Sequence, residues 1–200
     1  MYKDLVLKYK EDETSSGNIF TSTNDLFLSK YFKNDSPDIS FIPPFIPGEI
    51  YSFRYLTDSE ISKKRPFVDR MPLVICTDVF NTLESGTVIK GIDLITVPNI
   101  IRVDIIERIY DNFYEQLLAN KNSYERGSTK VPVNLKDPVL KNILKGTGYL
   151  NSYFGFKYKF IKNVKVISME DWPKIPYLSF NMIEGLSIQG IYNEYRSKLI

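Results

Sequence analysis

Between Tyr153 and Lys165 four lysines, Lys157, Lys159, Lys162 and Lys165, interleave with the rings of Tyr153, Phe154, Phe156, Tyr158 and Phe160. Cations that attract phosphates, set beside rings on which bases stack, are the ingredients of single-strand nucleic-acid binding. The alternation itself points elsewhere. In a strand it sends the rings inward and the lysines outward, where no base reaches a ring, so a plain half-buried strand is the expectation. The outward lysines are then free to face DNA or an acidic neighbouring subunit. From Lys121 to Lys165 ten lysines and arginines stand against Glu125 and Asp137 alone, although the whole chain carries a net charge of only +2. One region is therefore suited to an anionic partner.

A second charged segment, Lys63-Lys64-Arg65-Pro66-Phe67-Val68-Asp69-Arg70-Met71-Pro72, enters an apolar strand and reads as a salt-bridged loop at the end of a sheet. Among carboxylates, Asp58, Glu60, Asp69, Asp78 and Asp93 lack the alternating spacing of a calcium loop, and several have basic neighbours, so surface or structural ion pairing is expected of them. The sequence holds no histidine, which removes Ser-His-Asp and Cys-His catalysis and every histidine metal ligand. Its one cysteine, Cys76, sits in the apolar run Leu73-Val74-Ile75-Cys76 and reads as a small buried hydrophobe. Neither a GxxxxGK[ST] loop nor a GxGxxG fingerprint occurs. No catalytic residue, cofactor or metal site is expected, and the chain reads as a non-enzymatic one.

The elements that would position these groups follow from periodicity. Tyr51, Phe53 and Tyr55 alternate with Ser52 and Arg54 as in a half-buried strand. Met71 to Phe80 and Thr87 to Val97 continue a meander through the turn Leu83-Glu84-Ser85-Gly86, with Gly91 expected to mark a bend or bulge. Asn99 is a candidate helix cap. After it, Ile101, Ile105, Ile109, Phe113 and Leu117 recur every four residues, with Arg102, Glu107, Arg108, Asp111 and Glu115 elsewhere, which predicts an amphipathic helix of roughly five to six turns. A short second helix is predicted from Asp137 and Pro138 to Gly146. Strand character returns at Phe156 to Phe160 and at Val164 to Val166. Ile188, Ile191, Tyr195 and Leu199 are spaced for a terminal helix that docks.

Residues 1 to 48 read differently. Prolines at 37, 43, 44 and 47 favour an extended path, and Phe27, Phe41 and Phe45 are apolar anchors too numerous for a solvated tail. Such an arm would lie on a neighbouring subunit or wrap its own domain. The expected organisation is an arm over 1–48, an α+β core over 49–176 and a docking tail or helix over 177–200. The core should be a small, strongly bent antiparallel sheet or SH3-like barrel with one long amphipathic helix inserted. No run approaches the ~18 to 20 apolar residues of a membrane span, and Met1-Tyr2-Lys3-Asp4 leads into polar sequence, so a cytosolic chain without membrane contact is expected. One alanine against 23 isoleucines, 19 lysines and 14 asparagines fits an AT-rich genome and lowers helix propensity.

Three segments together resemble a group of virion proteins of tailed bacteriophages. They are Pro47-Gly48-x-Ile50-Tyr51-x-Phe53-x-Tyr55, then Pro66-Phe67-Val68-Asp69-Arg70-Met71-Pro72-Leu73-Val74, then Gly91-Ile92-Asp93-Leu94 with Val97-Pro98. Tyr158 to Trp172, with Lys162 and Asn163 before Val164, is similar to the group's return strand, so the resemblance covers about residues 47 to 172. Asp69, Arg70 and Pro72 carry the motif turn. Phe67-Val68 replaces the usual aromatic pair, and Asp93 stands where asparagine is common. The resemblance implies a neck, tail, baseplate or DNA-end-protecting component, made in the cytoplasm of a host bacterium and built into the virion. Its partners would be other virion proteins, copies of itself in a ring and possible packaged DNA. The alternative is a DNA-binding module that caps or guides packaged viral DNA ends.

Overall fold

The computed structural model describes residues 2–15, 19–32, 44–56, 71–125, 142, 144–146, 149, 152–178, 189–190 and 193. Two helices, α1 (Tyr2–Ser15) and α2 (Ile19–Phe32), precede strands β1 (Ile50–Tyr55), β2 (Leu73–Thr82) and β3 (Gly86–Asp93). A 3-10 turn (Leu94–Thr96) leads into the long helix α3 (Asn99–Glu125), and the chain returns through β4 (Tyr153–Lys157), a 3-10 turn (Tyr158–Phe160), β5 (Ile161–Val166) and a 3-10 helix (Met169–Tyr177). The fold is α+β, with one five-stranded antiparallel sheet in the order β4-β3-β2-β1-β5. The sheet is not closed.

Alternation along the strands sorts side chains to two cores. Ile50, Leu73, Ile75 and Ile92 face the helices, where they meet Tyr2, Val6, Phe27, Tyr31, Ile105, Ile109 and Trp172. Tyr51, Phe53, Tyr55, Val74, Cys76 and Ile89 face the other way, with Phe156 and Ile161. On that second face the sheet bends over itself. Phe156 of β4 lies 5.2 Å from Phe53 and 5.3 Å from Tyr55 of β1, ring edge to ring face, although β3 and β2 stand between these strands in the ladder. Such T-shaped pairs add to area burial and hold the bend. Tyr158, Phe160, Val164 and Val166 pack on the same core.

Gly91 sits where the bend needs it. The β2–β3 register shifts between Cys76 and Asp78, and a Cβ on Gly91 would run into the Val74 Cγ1 atom and the Ile75 carbonyl oxygen. The close approach of two backbones here excludes any larger residue. The strand predicted to continue to Val97 ends at Asp93. The Asp93 carboxylate accepts from the Ile95 amide at 3.2 Å, and its carbonyl accepts from Thr96 Oγ1 at 2.7 Å, so the next three residues turn into a 3-10 helix.

The extended arm expected over residues 1 to 48 is corrected: Tyr2–Ser15 and Ile19–Phe32 are helical. All four prolines that suggested extension follow Phe32, so none falls within α1 or α2. Tyr2 and Val6, and Phe27 and Tyr31, are each four apart and present a narrow apolar stripe to the body's own core. Phe27 and Phe45 are both buried, on opposite faces of the sheet, while Phe41 lies outside the described residues.

Helix α3 buries Ile101, Ile105 and Ile109 as the spacing predicts, with Ile106 and Tyr110 beside them. Non-helical angles at Phe113 (φ −126, ψ 17) kink it there. The Pro98 carbonyl accepts from both the Ile101 and Arg102 amides at its start. Of the short helix expected from Asp137 to Gly146, residues Asn142 and Leu144 to Gly146 are described and helical, and Asp137 and Pro138 lie outside the described residues. Gln189, Gly190 and Asn193 are helical within the expected terminal helix, and Leu178, near its approach, is buried.

Candidate functional site

The four lysines do not form one stripe. The 3-10 turn Tyr158–Phe160 breaks the predicted strand and separates β4 from β5, which lie at opposite edges of the sheet. Lys157 stays half-buried on β4, where its amide donates to Tyr55 Oη at 3.2 Å. Lys159 is exposed on the turn, its ammonium 4.9 Å from the Phe160 ring centroid. Lys162 and Lys165 belong to β5, and Lys165 donates to the Lys30 carbonyl at 3.0 Å. The inward direction of Phe156, Tyr158 and Phe160 agrees with the strand reading, since all three pack on the second core.

The register supplies a cation that the sequence reasoning missed. Arg54 pairs with Lys162 across β1 and β5, and both side chains are exposed. Two like charges directly opposite repel in a ladder. Neither has a carboxylate partner among the described residues. Leu56 is exposed beside them, held by its amide's 2.9 Å bond to the Phe160 carbonyl. An apolar spot rimmed by Arg54, Lys159 and Lys162 therefore occupies the end of the sheet where β1 stops. It can attract an anionic group and cover an apolar one.

The buried polar side chains act within the fold. Arg102, which the helix spacing placed away from the core, is 1% exposed. Its Nε donates to the Leu94 and Val97 carbonyls at 2.6 and 2.9 Å, and its guanidinium nitrogens reach Leu178 at 3.0 Å and Ile95 at 3.4 Å. Asp171, 6% exposed, accepts from Tyr31 Oη at 2.6 Å, Lys30 at 2.7 Å and Lys174 at 2.5 Å. Burial alone would raise its pKa, but the bonds from Lys174, Lys30 and Tyr31 outweigh that and hold it at about 2. Tyr51 donates to the Glu49 carboxylate at 2.7 Å and accepts from the Ile46 amide at 2.8 Å. Burial, then the nearby Glu49 charge, pushes the Tyr51 pKa far up.

Cys76 is buried, and burial drives its thiol pKa well above the ordinary value, as befits a packing residue. Asp93 caps its turn, Asp78 is exposed, and Asp58, Glu60, Asp69 and Arg70 lie outside the described residues; Pro72 of the same motif is buried. Among the described residues no group of three or more His, Cys, Asp or Glu is placed to hold a metal ion, and no helix is long and apolar enough to cross a membrane. No family model matches this chain, and neither does any curated protein or solved structure.

Proposed function

We propose that this chain is a structural subunit of a tailed-bacteriophage virion, forming part of a ring or collar at the portal, tail or baseplate. It acts by assembly rather than catalysis, after synthesis in the host bacterial cytoplasm. The motif residues from Pro47 to Trp172 support this reading. An SH3-like barrel is supported by the bend that brings Phe156 onto Phe53 and by the single 3-10 turn that joins the two sheet edges. The observation that carries the assembly role is the β2–β3 hairpin. Its tip runs beyond the β4 pairing that ends at Val88 and leaves Leu83 exposed, with Val79 exposed on the flank, an arrangement stabilised when another chain covers it.

Sedimentation velocity on the purified full chain, together with mass spectrometry of purified particles, tests the proposal. Concentration-dependent association and presence in the particle are expected. A chain that stays monomeric at every concentration and is missing from particles overturns it.

A second reading, a module that caps or guides packaged DNA ends, is favoured by the Arg54–Lys162 pair and the exposed Lys159. Affinity for DNA should then fall steeply with added salt, and replacing Lys157, Lys159, Lys162 and Lys165 by Glu should remove it. Absence of binding at low salt eliminates this reading.

A further inference from the structure

The distal β2–β3 hairpin is built with more care than a loose loop requires. Its register runs without a break from Asp78↔Lys90 to Thr82↔Gly86. Ser85 donates from its amide to Thr82 Oγ1 at 2.9 Å, Thr87 Oγ1 donates to Asn81 Oδ1 at 2.8 Å, and Gly86 supplies the positive φ of +69 that closes the turn. Lys90 lies over the Phe80 ring at 4.7 Å. Yet among the described residues Asp78 to Thr82 pair only with β3, so the edge toward β1 is open. From Val88 inward β3 also pairs with β4, so only the last stretch, Asn81 to Thr87, is a two-stranded ribbon, which is marginal in water by itself. At its crest Leu83 is fully exposed, Val79 is exposed on one flank, and Asp78 and Glu84 supply negative charge.

The other end of the sheet has the opposite character. Ser52 pairs with Leu73, the first residue of β2, and β1 runs on past it to Arg54 and Tyr55. Leu56 is an exposed apolar spot there, beside exposed Arg54 and Lys162, with exposed Lys159 on the turn whose Phe160 carbonyl holds the Leu56 amide. An apolar crest flanked by acids thus matches an apolar spot flanked by bases.

We propose that the β2–β3 hairpin tip of one copy docks on the Leu56–Arg54–Lys162 end of the sheet in a second copy. This rests on the assembly reading and deepens it by naming the partner and the two surfaces. The contact is heterologous, joining unlike patches, so each copy retains one free tip and one free socket. Repetition of such a contact closes a ring when its rotation permits. The apolar centre contributes affinity, and the charged rim sets register and association rate.

The test uses the full chain and single-surface variants in sedimentation velocity. Leu83→Asp disables the tip, and Arg54→Glu with Lys162→Glu disables the socket; all three residues are exposed, so thermal unfolding midpoints should match the parent. Each variant alone should associate at least about tenfold more weakly than the parent. Mixed together they should form one-to-one pairs and nothing larger, because one good tip meets one good socket. If Leu83→Asp associates as strongly as the parent, this docking is wrong while the assembly role stands. If the mixture fails to pair, the two surfaces are not partners. If the parent shows no self-association, docking between copies is wrong, and detection of the chain in particles alone decides the assembly role.

Discussion

Lys30 Nζ lies 2.7 Å from Asp171 Oδ2, tying the end of α2 to the last 3-10 helix across 141 residues of sequence. Tyr31, the next residue, bonds the same oxygen at 2.6 Å and accepts from the Ser168 amide at 3.1 Å. A single buried carboxylate therefore fastens the N-terminal helices to the returning chain. Because Lys30 is mostly exposed, the fastening depends on the buried Tyr31 bond more than on the exposed ion pair, while Lys174, three residues along the same 3-10 helix, holds the carboxylate locally.

The first prediction concerns acid. The folded-state pKa of Asp171 is about 2, below the ordinary value of 3.8, so the unfolded chain binds the proton more tightly. Its contribution to stability is fully present above pH 3.8 and is lost as pH falls toward 2. Asp171→Asn should lower stability at pH 7 by about 1 to 3 kcal/mol and flatten the acid limb of the stability curve. Urea unfolding from pH 7 to pH 2 measures both, and an unchanged acid limb in the variant contradicts the assignment.

Arg102 yields the second prediction. Its guanidinium satisfies four carbonyl oxygens, those of Leu94, Ile95 and Val97 in the turn that precedes α3 and that of Leu178, so it closes the seam between sheet, helix and C-terminal segment. Arg102→Ala should cost about 3 to 5 kcal/mol by leaving those oxygens unsatisfied beside a cavity. Arg102→Lys, with a point charge in place of a planar fork, should recover only part of that. Equilibrium denaturation of both variants orders them, and equal stability of the two would show that the fork geometry is immaterial.

What the sequence revealed, and what it hid, divides by range. The pattern Tyr51, Phe53, Tyr55 and the pattern Ile101, Ile105, Ile109 are visible because a strand and a helix each repeat with their own period, and one face of each is buried. The inward set Phe156, Tyr158 and Phe160 was legible for the same reason, although the 3-10 turn that splits the lysines was not. Helices α1 and α2 were hidden: each offers a short apolar stripe among polar residues, and the prolines beyond Phe32 outweighed it. The interior position of Arg102 depends on a carbonyl 76 residues away, and the pairing of Arg54 with Lys162 depends on a register set by long-range packing. Neither leaves a local signal.

The third prediction contrasts two glycines. Gly91 faces Val74 and the Ile75 backbone, so Gly91→Ala forces two strands apart and should cost about 1 to 3 kcal/mol. Gly86 has open space around its missing Cβ, and Gly86→Ala meets only the strain of a positive φ, about 1 kcal/mol. Urea midpoints of the two variants decide the order. A Gly91 variant as stable as the parent would mean that the bend at Cys76 and Asp78 relaxes freely.

The N-terminal helices give the last prediction. Tyr2 has no exposed surface, its hydroxyl donates to the Trp172 carbonyl at 2.9 Å, and its amide donates to Asp111 at 3.0 Å. Its ring lies 5.5 Å from that of Tyr110, which in turn lies 6.1 Å from Trp172. The first helix is thus part of the protein's own core. Tyr2→Ala should destabilise the fold by about 3 to 5 kcal/mol, whereas Tyr2→Phe, keeping the ring, should cost only about 1 to 2 kcal/mol for the orphaned Trp172 carbonyl. Trp172 fluorescence during denaturation reads both. If Tyr2→Ala melts with the parent's midpoint but loses self-association, the helix serves a neighbour rather than its own body, and its packing against Trp172 contributes little to the stability of the monomer.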